Sequence, residues 1–211
     1  MSIYKLTRTF LYPVIFLADF FQTNFTKYFT PMNVGPVRDP NWKKVILKYL
    51  KKKDFILDYG CGVGFFSRLF NKKKYIGIEI NKNFLAQAKK INKGYIFLSL
   101  KRSEIKKFRK KTNAVLINNV LHHMNDREIL ESLSMIKANS QRKTKILVIE
   151  PIYPNNFFSF EFFLKALDIG NYIRKKDGYL KILRKHIDVK DINVRRFGIG
   201  TAVIFFGYFT K

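Results

Sequence analysis

The sequence predicts an α/β fold, with a mostly parallel sheet, helices on both faces and an antiparallel last strand. Three observations lead to this prediction. Short apolar runs alternate with segments of helical periodicity across residues 41–151, as they do in βαβ units. The first apolar run ends in ILDYGCGVG, residues 56–64, where glycines recur at every second position. The last two apolar runs, residues 191–197 and 202–209, are joined by the turn GIGT, which indicates an antiparallel hairpin.

Seven strands are predicted. Each of the first five is a short apolar run, which suits a strand buried within a parallel sheet. The last two are the arms of the hairpin. In chain order the predicted strands are residues 54–60, 74–80, 94–100, 113–121, 144–151, 191–197 and 202–209.

Helices are predicted between these strands from apolar residues at helical spacing. Two asparagines are placed to cap helices, Asn41 before the first strand and Asn81 after the second. Asp126 and Glu128 favour the first turn of the helix that follows the fourth strand. In chain order the predicted helices are residues 42–53, 65–73, 81–91, 103–111 and 125–140.

The chain divides into an aromatic leader, residues 1–40, and one domain, residues 41–211, with a helical insertion at about 154–186. In the leader the apolar stretch Phe10–Phe21 is too short to span a bilayer and is interrupted by Asp19. We expect it to form an amphipathic helix that covers a pocket or lies in a membrane interface, with an uncleaved signal or anchor as a further alternative.

The composition limits the class of protein. The single cysteine, Cys61, excludes a disulfide framework and fits a reducing compartment, so a cytoplasmic location is expected, with membrane association as an alternative. The 41 Lys and Arg against 15 Asp and Glu give a net charge of +26, which suits a nucleic-acid binder, a membrane-surface binder or a receptor for acidic substrates. The basic residues are nevertheless spread along the sequence, and biased codon usage explains such a spread equally well.

The glycine stretch indicates a ligand site. At the carboxyl end of the first strand of an open α/β sheet, Gly60, Gly62 and Gly64 allow a sharp turn and leave no Cβ to obstruct a ligand. The spacing is neither that of a dinucleotide fingerprint nor that of a phosphate loop. Glu79, near the end of the next strand, can accept hydrogen bonds from both ribose hydroxyls, and Asp58 can accept one from an ammonium group. Together they predict a ligand with a ribose, a cationic amino-acid portion and no phosphate.

On these residues the sequence resembles the class I S-adenosylmethionine-dependent methyltransferases. The resemblance rests on residues 56–70 and 75–81, on LINNVLHHMND at residues 116–126 and on ILVIEP at residues 146–151. It covers residues 41–150 well, and residues 190–211 at the level of topology. It implies a Rossmann-like seven-stranded sheet with a reversed last strand, and S-adenosyl-L-methionine as the cofactor.

The resemblance also implies where the cofactor binds. Glu79 would hold the ribose, Ile80 would pack on the adenine, and Ser99 or main-chain groups would replace an acid that many members carry after the third strand. The cofactor-binding residues expected at the carboxyl ends of the strands are Asp58, Gly60, Cys61 and Gly62 toward the methionine part, Gly64, Glu79, Ile80, Ser99, and Asn118 and Asn119 beneath the methyl-bearing sulfur.

Methyl transfer from a sulfonium is an in-line displacement, so the protein mainly aligns the two reactants. A base is needed only where the acceptor carries a proton that must be removed. His122 and His123 follow the fourth strand and are the candidate bases, each with a structural role as the alternative. His186 is expected on the surface. The three histidines lack the spacing of metal ligands, so no metal is predicted.

The acceptor has competing interpretations. A small-molecule or lipid-like acceptor would use the aromatic leader and the insertion as a lid, with apolar walls from Phe157, Phe158, Phe160, Phe162 and Phe163. Residues 174–176, Arg-Lys-Lys, would either attract an anionic acceptor or form a solvated face. The alternatives are an RNA or DNA methyltransferase that uses the basic surface, and a non-catalytic cofactor-binding protein.

Overall fold

A computed structural model describes residues 40–100, 111–152, 172–197 and 200–210. Residues 1–39 of the predicted leader, residues 103–110 of the predicted helix 103–111 and most of the predicted insertion, including the five phenylalanines, lie outside these ranges. The α-helices are α1 (Pro40–Tyr49), α2 (Lys82–Ile91), α3 (Asp126–Asn139) and α4 (Lys176–Leu183). The strands are β1 (Ile56–Tyr59), β2 (Tyr75–Glu79), β3 (Ile96–Ser99), β4 (Thr112–Asn118), β5 (Ser140–Pro151), β6 (Ile187–Phe197) and β7 (Gly200–Phe209).

The strands form one seven-stranded sheet in the order β3-β2-β1-β4-β5-β7-β6. Strands β1 to β5 pair in parallel, whereas β7 is antiparallel to both of its neighbours, β5 and β6. The predicted fold class is thereby confirmed. The strand order reverses between β1 and β4, so a crevice is expected outside the carboxyl ends of these two strands. We call that side of the sheet the carboxyl edge and the opposite side the amino edge.

Each face of the sheet has its own apolar core, because successive residues of a strand point to opposite faces. On one face Leu57 packs with residues of α3 such as Leu133, and on the other Ile56 packs with residues of α1 such as Ile46. All of these side chains are buried. The two cores hold the helices against the sheet and so fix the positions of the strand ends.

Capping accounts for two of the helix starts. The Asn81 side chain accepts hydrogen bonds from the backbone of Asn83 and Phe84, which confirms the predicted cap. The helix α3 begins with a capping box. The Asn125 side chain accepts a hydrogen bond from the Glu128 N–H, and the Glu128 side chain accepts one from the Asn125 N–H. Both helices therefore begin directly after loops that belong to the carboxyl edge.

Two predicted helices differ from the structure. The helix α1 begins at Pro40, so Asn41 lies inside it, and it ends at Tyr49 rather than continuing to residue 53. Proline is favoured at the first helical position, where its missing N–H has no intrahelical partner. The predicted helix 65–73 is replaced by two short 3₁₀ turns, Ser67–Leu69 and Lys72–Lys74, because the backbone is extended at Phe70.

Among the described residues, no helix is long and apolar enough to cross a membrane. The helix α4 lies within the predicted insertion, near its carboxyl end, and β6 with β7 confirms the predicted terminal hairpin.

Candidate functional site

The loop after β1 is fastened to the next strand by its backbone. The N–H groups of Gly60 and Cys61 both donate to the Ile78 carbonyl, at 2.8 and 3.0 Å. The side chain of Cys61 is buried, and burial raises the pKa of its thiol. A protonated, buried thiol is not a nucleophile, so Cys61 serves as a small packing residue.

The Glu79 carboxylate joins this loop to the end of β2. Its Oε2 accepts the Gly62 N–H at 2.8 Å, and its Oε1 accepts the Asn81 N–H at 2.8 Å. The residue is only 7% exposed. Each carboxylate oxygen has a second lone pair, so Glu79 can orient the loop and still accept two hydroxyl groups of a ligand.

The glycines of the loop have different surroundings. Gly62 has φ +54°, and a Cβ built on it meets no atom of the described residues within 4 Å, so the described part of the chain leaves open space beside the loop there. Gly64 has φ +75°, and its Cβ would lie 2.5 Å from Phe97 and 2.8 Å from Asn92. The absence of a side chain therefore leaves room for a ligand at Gly62, whereas at Gly64 it allows close packing of the protein itself.

Two further predicted residues end neighbouring strands on this edge. Ile80 is 76% exposed and directly follows Glu79, so it offers an apolar surface to a flat ring. Ser99 is the register partner of Glu79 across β2 and β3 and is half-buried. Both residues lie where the carboxyl ends of these strands open to solvent.

Asp58 is held away from solvent. It is 2% exposed, and its Oδ2 accepts the Tyr75 hydroxyl at 2.6 Å. Burial raises the pKa of Asp58 to about 7, with a smaller increase from the charge of Glu79, while the hydrogen bond from Tyr75 opposes the increase. No sequence pattern indicated Tyr75 as the partner of Asp58, because only the parallel pairing of β1 and β2 brings the two residues together.

Asn118 and Asn119 end the neighbouring strand β4. The Asn119 N–H donates to the Ile149 carbonyl at 2.9 Å, and its φ of +56° ends the regular strand. The side-chain Oδ1 of Asn118 is buried and has no hydrogen-bond partner among the residues that the structure describes. A buried acceptor without a donor is costly, so this atom marks a position for a ligand or water.

The turn after β4 is organised by Glu150, a residue that the sequence analysis did not select. Glu150 is fully buried at the end of β5. Its Oε1 accepts the N–H groups of Val120 and Leu121, both at 2.8 Å. Its Oε2 accepts the N–H of His122 at 3.2 Å and lies 2.8 Å from His122 Nδ1. The acid at the end of the run ILVIEP was the available signal.

Arg174 closes the same turn from outside. Its guanidinium donates to the carbonyls of Leu121 and Met124 at 3.2 and 2.9 Å and to Asp126 at 2.6 Å. The Arg174 side chain is only 12% exposed. The predicted alternatives, attraction of an anionic acceptor or a solvated face, do not describe this residue, because its donors are directed at the protein. The next two residues, Lys175 and Lys176, are exposed.

The candidate bases differ in exposure. His122 is 4% exposed, whereas His123 is exposed, and their rings lie 4.0 Å apart between centroids at 42°. His186 is half-buried after α4, and burial with nearby lysines lowers its pKa. The Nδ1 of His122 lies 2.8 Å from the Glu150 carboxylate.

These residues fit a nucleoside that carries a cationic amino-acid tail. The open space at Gly62, the exposed face of Ile80 and the unpartnered Asn118 oxygen lie at the ends of β1, β2 and β4. A Cβ at Gly62 would enter that space, and Glu79 can accept two hydroxyls beside it. The fit at Asp58 is less direct, because Tyr75 already occupies one of its oxygens.

Comparison with known proteins agrees with this geometry. The family model described as a methyltransferase domain matches residues 50–159, just over half of the chain. An uncharacterized protein of Methanocaldococcus jannaschii is 32% identical over 139 residues, which cover 61% of this chain and 57% of that protein. The matched part of the chain thus spans little more than half of that relative.

Solved structures share the fold. An Aquifex aeolicus protein described as a SAM-dependent methyltransferase aligns with a TM-score of 0.66 at 17% identity, over 89% of this chain and 98% of that one. A protein of Pyrococcus horikoshii aligns with a TM-score of 0.64 at 15% identity, over 89% and 99%. An Archaeoglobus fulgidus protein described as a SAM-dependent methyltransferase gives 0.59 at 15% identity, over 80% and 93%.

The family match and the shared fold confirm the resemblance found in the sequence. The chain belongs to the methyltransferase domain family and has the fold of the class I S-adenosylmethionine-dependent enzymes.

Proposed function

We propose that the chain transfers a methyl group from S-adenosylmethionine to a small-molecule or lipid-like acceptor. One observation carries the first half of this proposal. The Glu79 carboxylate holds the Gly62 N–H at 2.8 Å, in a loop that faces open space, beside the exposed Ile80. This arrangement suits a ribose and an adenine ring, and it has no phosphate-binding loop beside it.

When bound, S-adenosylmethionine supplies an electrophilic methyl carbon on a sulfonium. The chain has to hold that carbon in line with the acceptor and exclude water. Glu79 and the backbone of the glycine loop would fix the nucleoside. Asn118 would place its unpartnered Oδ1 next to the positively charged part of the cofactor, which a carbonyl oxygen stabilises.

His122 is the proposed base for an acceptor that must lose a proton. In this proposal Glu150 accepts a hydrogen bond from Nδ1–H, as it does from three backbone N–H groups, and so holds the proton of His122 on Nδ1. That tautomer carries its lone pair on Nε2, which is the nitrogen able to take a proton. Glu150 acts through His122 and is therefore a positioning residue.

The position of the residues that flank segment 153–171 supports an apolar methyl acceptor. Ile152 and Arg174 form a parallel β-bridge, and the Tyr172 N–H donates to the His122 carbonyl at 2.9 Å. The described residues that flank segment 153–171, Ile152 and Tyr172, thus lie near the turn that carries His122. The sequence of this segment is rich in phenylalanine, which suits an apolar acceptor pocket.

Cofactor binding is tested by calorimetry with S-adenosylmethionine and S-adenosylhomocysteine. Glu79→Gln should weaken both by about 10-fold to 100-fold, because the ribose hydroxyls lose a charged acceptor. Glu131→Gln is the matched control, since Glu131 is exposed and pairs with Arg127 on α3. Unchanged affinity in Glu79→Gln, or no binding by the natural chain, contradicts the proposal.

The acceptor is tested by incubation with methyl-labelled S-adenosylmethionine and a cell extract separated into lipid, small-molecule and nucleic-acid pools. Label in the lipid or small-molecule pool supports the proposal. Label only in RNA would make the chain an RNA methyltransferase. Cofactor binding without labelled product or S-adenosylhomocysteine in any pool would make it a non-catalytic binding protein.

A further inference from the structure

The fold gathers basic residues that the sequence spreads apart. Exposed lysines lie directly before β2 and β4 and a few residues before β1 and β3, and an exposed arginine and lysine lie near the start of β5. In parallel strands these positions all meet on the amino edge of the sheet. We call them the basic edge, which consists of Lys51, Lys52, Lys53, Lys72, Lys73, Lys74, Lys93, Lys111, Arg142 and Lys143.

Contacts between neighbouring segments show that they share one edge. Lys74 Nζ donates to the Lys53 carbonyl at 3.2 Å, which joins the segments before β2 and β1. Gln141 Nε2 donates to the Lys111 carbonyl at 3.2 Å, which joins the start of β5 to the segment before β4. Arg142 lies in the register shift between β4 and β5, which carries it outward.

Among the described residues, no carboxylate forms an ion pair with a cation of the basic edge. Asp54, which follows Lys53, is buried and bound to Lys145 Nζ at 2.8 Å. Asp188 and Asp191 on β6 pair with Lys190 and Lys48, which are not part of this edge. The charge of the edge is therefore open to an external partner.

A groove of about 390 Å³ lies at the β3 end of this edge. Four cations line it, Arg68, Lys72, Lys90 and Lys93, together with Tyr95. Among the described residues, none of these cations pairs with a carboxylate. The Arg68 guanidinium donates only to neutral oxygens of Asn92 and Ile91, at 3.3 Å each, so its charge is uncompensated.

We propose that the basic edge binds a single strand of nucleic acid through its phosphates. Five adjacent strands at about 4.8 Å spacing make a line of cations roughly 19 Å long. Each strand of a sheet is twisted by about 20–25° relative to its neighbour, so the line winds through most of a right angle. A flexible phosphate chain can follow such a line and enter the groove, whereas a flat membrane surface can contact only part of it.

Binding at this edge is distinct from the proposed cofactor site, which lies on the opposite edge of the sheet. The inference does not depend on the methyl acceptor. It holds whether the strand guides the protein to its acceptor or carries the acceptor itself. A change at the basic edge should leave S-adenosylmethionine binding intact, so failure of one proposal is distinguishable from failure of the other.

The test measures fluorescence anisotropy of a labelled oligouridylate of about 20 nucleotides with the full chain over a range of salt. The edge variant combines Lys52→Gln, Lys73→Gln and Lys93→Gln. The control variant removes the same charge elsewhere, from three exposed lysines on α2 and α4: Lys82→Gln, Lys176→Gln and Lys181→Gln. Thermal melting and calorimetry with S-adenosylmethionine confirm that both variants fold.

The edge variant should bind the oligouridylate at least 10-fold more weakly. The slope of log binding constant against log salt concentration should become less steep by about 2, because each lost phosphate contact on a single strand removes about 0.7. The control variant should stay within 3-fold of the natural chain. Equal losses in both variants, or no binding by the natural chain at low salt, overturn the proposal. The proposal is also overturned if the edge variant loses binding to phosphatidylserine vesicles but binds oligouridylate as tightly as the natural chain.

Discussion

His122 Nδ1 lies 2.8 Å from Glu150 Oε2, and both side chains are buried at the carboxyl edge of the sheet. The two residues are 28 positions apart in the chain. The same carboxylate accepts three backbone N–H groups of the turn after β4. Glu150 therefore fixes both the backbone of this turn and the orientation of the imidazole.

Replacing Glu150 by glutamine should destabilise the fold. It should also slow methyl transfer to an acceptor that must lose a proton. The amide replaces one acceptor oxygen by an NH2 group, which faces two of the four groups that contact the carboxylate, so about 2–3 kcal/mol of the free energy of unfolding should be lost. Denaturant unfolding measures this loss. Glu131→Gln, on the exposed face of α3, should leave stability unchanged.

A double-mutant cycle separates the His122 contact from the backbone contacts. His122→Phe removes the Nδ1 contact but keeps a planar ring, and its combination with Glu150→Gln should show a coupling energy of about 1–2 kcal/mol. Additive effects of the two substitutions would contradict a direct bond between the side chains. Unchanged transfer rates in Glu150→Gln would contradict its role in positioning the base.

Alanine substitutions at two glycines of one loop should affect stability and cofactor binding to different extents. Gly62 and Gly64 both have positive φ, so alanine costs about 1–2 kcal/mol of backbone strain at either position. At Gly64 the new methyl group also meets the buried Phe97 and Asn92, which adds about 1–3 kcal/mol. At Gly62 it enters open space.

Gly64→Ala should therefore lower the denaturant midpoint more than Gly62→Ala, whereas Gly62→Ala should weaken S-adenosylmethionine binding by about 10-fold or more. Calorimetry on the folded proteins checks the second effect. If Gly62→Ala bound the cofactor as tightly as the natural chain, the open space at this loop would not be the cofactor site.

The strands were predictable because their signal is local. The run from Tyr75 to Ile78 is apolar and lies between lysines and an acid, so it predicted β2 without any knowledge of its neighbours. The stretch 65–73 shows where this fails. Its spacing of apolar residues suits a helix, but Gly64 must pack against Phe97, and Phe70 turns extended to reach the core.

The candidate site was predictable only where a residue's role depends on its own strand. Glu79 could be selected because an acid at the end of β2 lies in the crevice of any such sheet. The roles of Glu150 and Arg174 depend on backbone groups of a turn far away in sequence, with Arg174 reaching Leu121 across 53 positions. Such partners are fixed by the packing of whole elements, which no local pattern records.

Arg174→Lys should loosen the turn that carries His122. The guanidinium reaches two carbonyls and Asp126 at once, whereas an ammonium cannot reproduce that planar set of donors. We expect a loss of about 1–2 kcal/mol in the free energy of unfolding and faster hydrogen exchange at the turn. Lys175→Gln, at an exposed neighbour, is the control, and equal exchange rates in Arg174→Lys and the natural chain would contradict this role.

Asp58 should make the cofactor-free protein less stable as pH rises. Its pKa is raised from 3.8 to about 7 in the folded state, chiefly by burial, so between these values the folded state holds a proton that the unfolded state has released. The free energy of unfolding therefore falls with increasing pH, by up to about 1.4 kcal/mol per unit within this window. Asp58→Asn keeps an acceptor for the Tyr75 hydroxyl but cannot ionise.

The stability of Asp58→Asn relative to the natural chain should thus rise from pH 4 to about 7 and level off above it. Denaturant unfolding at several pH values measures this difference, with the exposed Asp177→Asn expected to follow the natural chain. Tyr75→Phe removes the hydrogen bond that lowers the pKa of Asp58. In this variant the pH range over which stability falls should therefore extend to higher pH. A constant difference between Asp58→Asn and the natural chain across this range would mean that Asp58 stays ionised when buried, with a cationic partner that the described residues do not supply.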